Sequence, residues 1–390
     1  MTRFLVLALL LATPGFAADP AAELKALLAV GKEGGGNAEA AAAWKRLVAA
    51  GPDALVPTLT AFDSATPAAA NWLRSAVSAI ADAESLAKRP LPADALKAFV
   101  KDDQRMPAAR RIAYELYAAA VPAEASDLLA GLVNDPEPEL RRDAIAGRLS
   151  RASKASPEAL KAAQNELIGF ARDRDQLESL TQALAKSGVK FNKTTHLNYV
   201  TQWLVAGPFE NADGAGYAKA YPPEAAVDPK AEYAGKLGPV TWKPLQSGDE
   251  YGTINLNAEL GKVKSAIVYA FAAVESPAAT PIEVRATSPN ALQVFVNGTK
   301  VYDRSAYHNG SWADAHVAKA TLKAGRNEVL VKVCQDDQKP AWAQGWEFAV
   351  RLCDATGGRV PLKQLLTTPA GESRVVPLGD LKPAPAPETK

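Results

Sequence analysis

Apolar residues change their spacing near residue 195, and this change divides the chain into two regions. In the first region they recur three and four positions apart, as Leu73, Val77 and Ile80 do. This is the spacing of one buried face of a helix. Proline and glycine interrupt the pattern at intervals suited to short helices, and proline often begins the next one. The pattern predicts a helical domain over residues 20–195.

The second region has a period of two. Ile267, Tyr269 and Phe271 alternate with smaller apolar residues, which is typical of a strand. Asn297-Gly298 separates two such runs, and this dipeptide is the strongest short signal for a tight hairpin. Many short strands joined by Gly, Pro and Asn predict an antiparallel β-sandwich over residues 200–365. The predicted fold class is therefore multidomain, helical first and then β.

Composition and charge narrow the class of partner. The chain has 390 residues, more than one domain usually contains. Its 44 basic and 43 acidic residues are spread without long runs of one sign, and the net charge is +1. Nucleic-acid binding needs a concentrated basic surface, so we expect no nucleic-acid partner.

Both ends of the chain have the composition of segments outside a folded domain. Residues 1–17 combine a basic start, the apolar run FLVLALLLA, and small residues at Gly15 and Ala17, which together predict a signal peptide cleaved after Ala17. The run is shorter than the roughly 20 residues of a membrane span. We therefore expect an exported protein, located in the periplasm, at the cell surface or outside the cell. It has no predicted membrane span after cleavage. Residues 380–390 are rich in Pro and Ala and predict an extended or disordered tail.

The two cysteines, Cys334 and Cys353, invite a disulfide in an oxidising compartment. If they lie on consecutive antiparallel strands, however, they stand at opposite ends, ~20 Å apart. Because that distance is too long for a disulfide, the sequence predicts two unpaired thiols.

Sequence signatures of enzymes are mostly missing. The chain contains no G-x-S-x-G, no H-E-x-x-H and no phosphate loop. His308, His316 and Asp314 could meet on a metal across a turn, but such residues more often line a loop, and no metal site is predicted. Asp336 and Asp337 offer oxygen ligands that suit a structural Ca²⁺, although a solvated turn is the favoured interpretation. The sequence favours a protein without catalytic activity or cofactor.

The segment QDDQKPAWAQGWEF, residues 335–348, carries the main candidate site. Sugars stack their C–H faces on aromatic rings and pair their hydroxyls with planar amides. We expect Trp346 to begin a strand and lie in the core. Trp342 is expected either to bind a ligand or to cover the end of the sandwich. A second aromatic cluster, in the loop after the Asn-Gly hairpin, is expected at the same end. The predicted ligand-binding residues are Trp342, Gln335, Gln338, Gln344, Tyr307, His308 and Trp312.

The helical region also resembles a known repeat. In LLAGLVNDPEPELRRDAIAGRL, Asp135 occupies an interhelical turn, and Leu140 and Arg141 lie on the second helix. This segment resembles a HEAT repeat, and the resemblance covers residues 37–187. It implies a HEAT-like α-solenoid with an extended face for protein contacts. An irregular helical bundle that only supports the next domain remains the alternative.

The strand region resembles a second family. The segments WLVAGPFENADGAGY, SPNALQVFVNGTKVY, LKAGRNEVLVKVCQ and WEFAVRLCD are similar to the galactose-binding-like jelly-roll module of secreted bacterial carbohydrate-active and cell-surface proteins. Leu322, Gly325 and Asn327 occupy the turn into a late core strand. The resemblance spans residues 203–362. It implies a jelly roll that binds a glycan or another polymer of the cell envelope.

These observations favour a non-catalytic, exported binding protein with a helical arm for protein contacts. Two alternatives stay open at this point. One is a purely structural scaffold for protein interactions, and the other is an unrecognised hydrolase.

Overall fold

The computed structural model describes residues 20–309, 312–370 and 373–379. These residues form two compact units that divide after Ser156. The predicted signal peptide, residues 1–17, and the predicted tail, residues 380–390, lie outside the described residues.

The first unit is helical. Leu73, Val77 and Ile80 are buried on one face of its longest helix, as their spacing predicts. That helix begins where the hydroxyl of Thr66 accepts a hydrogen bond from the backbone N–H of Ala69. The helices are α1 (Ala21–Leu28), α2 (Asn37–Ala49), α3 (Leu55–Ala61), α4 (Pro67–Leu86), α5 (Ala93–Lys101), α6 (Pro107–Ala120), α7 (Pro122–Ala130) and α8 (Pro138–Ala155).

The turn between α7 and α8 is held by buried charged groups. Arg110 on α6 donates two hydrogen bonds to the carboxylate of Asp135, at 2.7 and 2.6 Å. Arg141 on α8 donates to the backbone carbonyl of Asp135 at 2.8 Å. Asp135 therefore links α6 to α8, but its role as part of a HEAT repeat stays a prediction.

The second unit combines helices with the strand region. Arg172 donates to the hydroxyl of Thr356 at 2.6 Å, and Asn198 donates to the carbonyl of Val360 at 2.6 Å. The helices before residue 200 therefore belong to the same compact unit as the strands. The predicted boundary at residues 195–200 marks the change from helix to strand, whereas the compact units divide near residue 156. The helices of this unit are α9 (Pro157–Leu167), α10 (Arg174–Lys186), α11 (Lys193–Leu197), α12 (Pro222–Ala225) and α13 (Leu256–Leu260).

The strands form two packed antiparallel sheets, so the predicted order of a helical region followed by a β-sandwich is confirmed. In the described residues, the large sheet has the order β14-β13-β6-β11-β8-β9, and β1 pairs with both β6 and β4. The small sheet has the order β10-β7-β12-β5, and β2 pairs with β3 as a separate ribbon. The strands are β1 (Gln202–Glu210), β2 (Glu232–Gly235), β3 (Gly238–Thr241), β4 (Lys243–Gln246), β5 (Ile254–Asn255), β6 (Ala266–Ser276), β7 (Thr280–Thr287), β8 (Ala291–Val296), β9 (Thr299–Arg304), β10 (His316–Leu322), β11 (Gly325–Gln335), β12 (Glu347–Cys353), β13 (Lys363–Thr367) and β14 (Ser373–Pro377).

The central strand β6 is buried on both faces. Val268 and Ala270 belong to the core between the sheets. Ile267, Tyr269 and Phe271 point the other way, into a second cluster on the outer face of the large sheet. The segment 211–242, here called the strap, covers that face and contributes Tyr221, Val240 and Trp242. The alternation of β6 was therefore predicted correctly, but neither face is solvated.

Lys332 on β11 holds the strap to the sheet. Its side chain is 0% exposed, and its ammonium donates to the carbonyls of Tyr217 and Lys219 and to the carboxylate of Glu224, at 2.8, 2.8 and 2.9 Å. An ammonium has three donors, so all of them are used. The hydroxyl of Tyr269 also donates to Glu224.

The hairpin and the cysteines follow the predictions. Asn297 and Gly298 join β8 to β9 with φ angles of 51° and 78°, the left-handed conformation that a two-residue hairpin turn requires. Cys334 and Cys353 are both buried and free. The reason given for unpaired thiols was wrong, however, because β11 and β12 do not pair with each other but lie in different sheets.

No helix in the described part of the chain combines the length and the apolar character needed to cross a membrane.

Candidate functional site

Several strands start or end at one edge of the sandwich, which we call the loop end. The register pairs Ala266, at the start of β6, with Gln335, at the end of β11, and with Glu210, at the end of β1. Cys334 pairs with Ala291, where β8 begins. Arg304, at the end of β9, pairs with Leu292 near the start of β8, so residues 305–309 and 336–346, which follow β9 and β11, leave the sandwich at the same edge.

Trp342 lies on this edge with its ring exposed. The side chain is 65% exposed, and its ring makes an edge-to-face contact with His308, with centroids 5.2 Å apart and an interplanar angle of 86°. The Nε2 atom of His308 lies 2.9 Å from both carboxylate oxygens of Asp336. The backbone N–H of His308 donates to the carbonyl of Pro289. His308 is therefore fixed at its ring and at its backbone, and its ring contacts the indole of Trp342.

Two of the three candidate glutamines lie at the rim of the same loop. The side-chain amide of Gln338 donates a hydrogen bond to Asp336 at 2.9 Å, so the carboxylate that holds His308 has a second side-chain partner. Gln344 is half-buried and donates to the carbonyls of Lys339 and Pro340, across the base of the loop. Both amides have carbonyl oxygens that these bonds do not use.

Gln335 plays a different part from the predicted one. It is 1% exposed, and its Nε2 donates to the carbonyl of Gly345 at 3.1 Å. Its Oε1 accepts from the side chain of Asn290, also at 3.1 Å. Because the strand carries this amide into the interior, Gln335 shapes the loop and does not face a ligand.

Tyr307 and Trp312, the remaining aromatic candidates, differ in their surroundings. Tyr307 is half-buried against the outer cluster of the large sheet, and its hydroxyl accepts from the side chain of Asn211 at 3.0 Å. Burial raises the pKa of Tyr307 to about 12. Trp312 is 58% exposed. The ring of His308 lies between those of Tyr307 and Trp342, with centroids 6.3 and 5.2 Å away, so the structure brings these three residues together.

The three residues considered for a metal take separate partners. Asp314 bonds to the guanidinium groups of Arg351 and Arg285, which hold the pKa of its carboxyl below the usual range although burial acts in the opposite direction. His316 lies 2.8 Å from the hydroxyl of Tyr302 and 3.0 Å from the carbonyl of Ser288. His308 bonds to Asp336. In the described part of the chain no group of three His, Cys, Asp or Glu side chains is placed to hold a metal ion.

Sequence analysis missed the polar residues that build the loop end from beneath. Asn211 donates to Tyr307 and to the carbonyl of Gln335, and Asn290 joins Gln335 to Gly345. Lys264 donates to the carbonyl of Ala343 at 2.8 Å. The asparagines stand in the motifs FENAD and SPNAL, but nothing in those motifs indicates partners up to 124 residues away.

No family model matches the chain, and no curated protein matches it. Among solved structures it is similar to an anti-sigma factor domain-containing protein, at 13% identity over 47% of this chain and 48% of that one, with a TM-score of 0.24. It is similar to a β-glucosidase from Kluyveromyces marxianus, at 12% identity over 39% and 16% of the two chains, with a TM-score of 0.24. A family 35 carbohydrate-binding module from Clostridium thermocellum matches at 19% identity over 26% and 88%, with a TM-score of 0.17.

This chain spans less than half of the length of the first two structures. At such identities and TM-scores, the similarities carry no functional argument.

Proposed function

We propose that this chain is a non-catalytic, exported binding protein whose sandwich binds a glycan or another cell-envelope polymer at the loop end. The helical unit is proposed to make protein contacts. The observation that carries the proposal is the exposed indole of Trp342, which is in contact with the ring of His308.

A single exposed apolar side chain is common on a protein surface, so the exposure of Trp342 supports the proposal only together with its contact to His308 and the amides of the same loop. The ring of Trp342 offers the apolar surface on which a sugar stacks, and the contact with His308 restricts its rotation before a ligand arrives. A side chain that is already ordered loses less conformational entropy on binding. Gln338 and Gln344 supply amide oxygens near the same loop, which suits hydroxyl groups.

The experiment is a glycan array with the full chain, followed by calorimetry with the best ligand. Trp342→Ala should weaken binding about 30-fold or more, as expected for a central aromatic contact. It should leave the free energy of unfolding nearly unchanged, because the ring is exposed. Trp342→Phe keeps a flat ring and should keep part of the affinity. Leu237→Ala removes another exposed apolar side chain of the same unit, 70% exposed, and should change neither property.

Trp346 provides the opposite comparison. It is 0% exposed and belongs to the core between the sheets, as predicted. Trp346→Ala should lower the free energy of unfolding by about 3–5 kcal/mol. A similar loss for Trp342→Ala would show that Trp342 is a structural cover, and failure to bind any glycan would favour a protein-interaction scaffold.

A further inference from the structure

The last described residues are held at a fixed point of the second unit. Leu378 is fully buried in the core between the sheets. The carbonyl of Gly379 accepts hydrogen bonds from the hydroxyls of Thr194 and Thr195, at 2.8 and 3.0 Å. A Cβ atom on Gly379 would lie 2.6 Å from the backbone of Thr194, so only glycine fits this contact. Residues 380–390 therefore start from a defined position at the first turn of α11.

A groove lies beside this point, and we call it the α10 groove. It has a volume of about 610 Å³ and belongs wholly to the second unit. Four residues of α10 line it at positions i, i+3, i+4 and i+7, which form one face of a helix. These residues are Glu178, Thr181, Gln182 and Ala185, and the other described lining residues are Gly188, Val189, Lys190, Phe191, Lys193 and Glu250.

The surface of the α10 groove is accessible and combines apolar groups with hydrogen-bond donors. Val189 is 38% exposed, and Phe191 is half-buried with its ring against that of His196, the centroids being 5.1 Å apart. Gln182 and Lys190 are exposed, and neither side chain has a hydrogen-bond partner among the described residues. The groove therefore offers both apolar contact and unused donors to an occupant.

The charges in the groove cancel. The ammonium of Lys193 donates to the carboxylates of Glu178 and Glu250, at 2.8 and 2.6 Å. Together with Lys190, the groove has two basic and two acidic side chains. Residues 380–390 also contain two of each sign, in the sequence DLKPAPAPETK. An occupant with this sequence would therefore meet no net repulsion.

The composition and length of residues 380–390 suit this groove. Prolines at 383, 385 and 387 alternate with alanine, a pattern that favours polyproline II. In that conformation the carbonyls have no internal partners and can accept from donors, while proline rings pack on aromatic surface. Pro383 lies four residues beyond Gly379, within a reach of about 13 Å. Residues 383–387 would span about 16 Å, longer than the roughly 10 Å face of α10.

We propose that residues 381–387 of the same chain occupy the α10 groove. The proline rings would pack on Val189 and Phe191, and the carbonyls would accept from Gln182 and Lys190. The occupant is this segment because the preceding residue, Gly379, is anchored beside the groove. A tethered segment has an effective concentration in the millimolar range, so even a weak contact would keep the groove filled. The proposal does not rest on binding at the loop end.

The test is a titration of the peptide DLKPAPAPETK, followed by NMR of the backbone amides of residues 181–191. It compares the full chain with a chain that ends at Gly379, which keeps every described residue and should fold. The peptide should bind the shortened chain with a Kd of about 1 mM or tighter, because a weaker contact would leave the tethered segment undocked. It should bind the full chain several-fold more weakly, because the tail of the full chain competes with it.

Two variants of the shortened chain locate the binding. Val189→Ser removes an exposed apolar contact of the groove and should weaken the peptide about five-fold. Val375→Ser is the matched control, because Val375 is 51% exposed in the same unit but lies on β14. It should leave the affinity unchanged. A peptide with alanine in place of its three prolines should also bind about five-fold more weakly, because it loses the preformed extended conformation.

The outcomes decide for or against the docked tail. Binding to the shortened chain that is weakened by Val189→Ser and by the presence of the chain's own tail supports the proposal. If the amides of residues 181–191 do not shift at 5 mM peptide, about five times the expected Kd, the proposal is overturned. It is also overturned if the full and shortened chains bind the peptide equally, or if Val375→Ser weakens binding as much as Val189→Ser. Glycan binding at Trp342 is read in a separate experiment and is not affected by these results.

Discussion

Lys332 provides a quantitative test of how the strap is attached to the large sheet. The ammonium is fully buried and donates to two strap carbonyls and to Glu224, whose side chain is 15% exposed. Lys332→Met keeps the apolar stem and removes all three hydrogen bonds at once. Bonds to a charged group contribute about 1.5 kcal/mol each at the lower end of their range, so we expect the three to give a loss of about 4.5 kcal/mol in the free energy of unfolding. This agrees with the roughly 3–5 kcal/mol measured when one partner of a buried ion pair is removed.

Urea unfolding followed by circular dichroism gives this free energy, and a constant m-value would show that the unfolded state is unchanged. Lys319→Met is the matched control, because Lys319 also lies on a strand but its side chain is exposed. The control should shift stability by no more than about 0.5 kcal/mol. Glu224→Gln and the double variant complete a cycle, with an expected coupling of about 1–3 kcal/mol. A loss below about 1 kcal/mol for Lys332→Met would refute the view that the ammonium holds the strap.

Two further predictions concern titratable groups. Burial lowers the pKa of His196 and of His316 below the usual 6.5, so the unfolded chain binds more protons than the folded one as the pH falls through about 6.5. The contribution of the two neutral histidines to the free energy of unfolding should therefore be fully present above that pH. It should fall between pH 6.5 and 5, by no more than about 1.4 kcal/mol per pH unit for each histidine. Urea titrations of the full chain and of His316→Gln would show this fall, and equal slopes for the two proteins would contradict it. Burial also raises the pKa of Cys334 to about 12 and that of Cys353 to about 11, so neither thiol should react with a disulfide reagent at pH 8 until urea unfolds the chain, and fast labelling of the native protein would contradict the burial.

Local patterns were sufficient for most elements of the fold. The helix that contains Leu73, Val77 and Ile80 followed from apolar spacing, and the hairpin at Asn297-Gly298 followed from the two residues whose backbone tolerates positive φ. These features depend on neighbours within a few positions, so a single sequence contains them. Trp346 was also assigned correctly to the core, because it precedes a strand whose alternate residues are apolar.

Features that join distant segments were not predictable in the same way. The strap covers the face of Tyr269, although nothing in residues 211–242 indicates which sheet they pack on. The assignment of β11 and β12 to different sheets also failed to follow from their order, because adjacent strands in the sequence often pair directly. The chain divides into units near residue 156 because of contacts such as that of Arg172 with Thr356, which are 184 residues apart.

The candidate site shows the same limit at the level of single side chains. Gln335, Gln338 and Gln344 are equivalent as letters in one segment, but the structure gives them different roles. Gln335 ends β11 with its side chain directed inward, where Asn290 and the carbonyl of Gly345 satisfy its amide. Gln338 and Gln344 follow the strand end, where the backbone no longer alternates between the faces of a sheet. Residue type therefore predicts the chemistry that a loop can offer, while the strand end decides which side chains can offer it to a ligand.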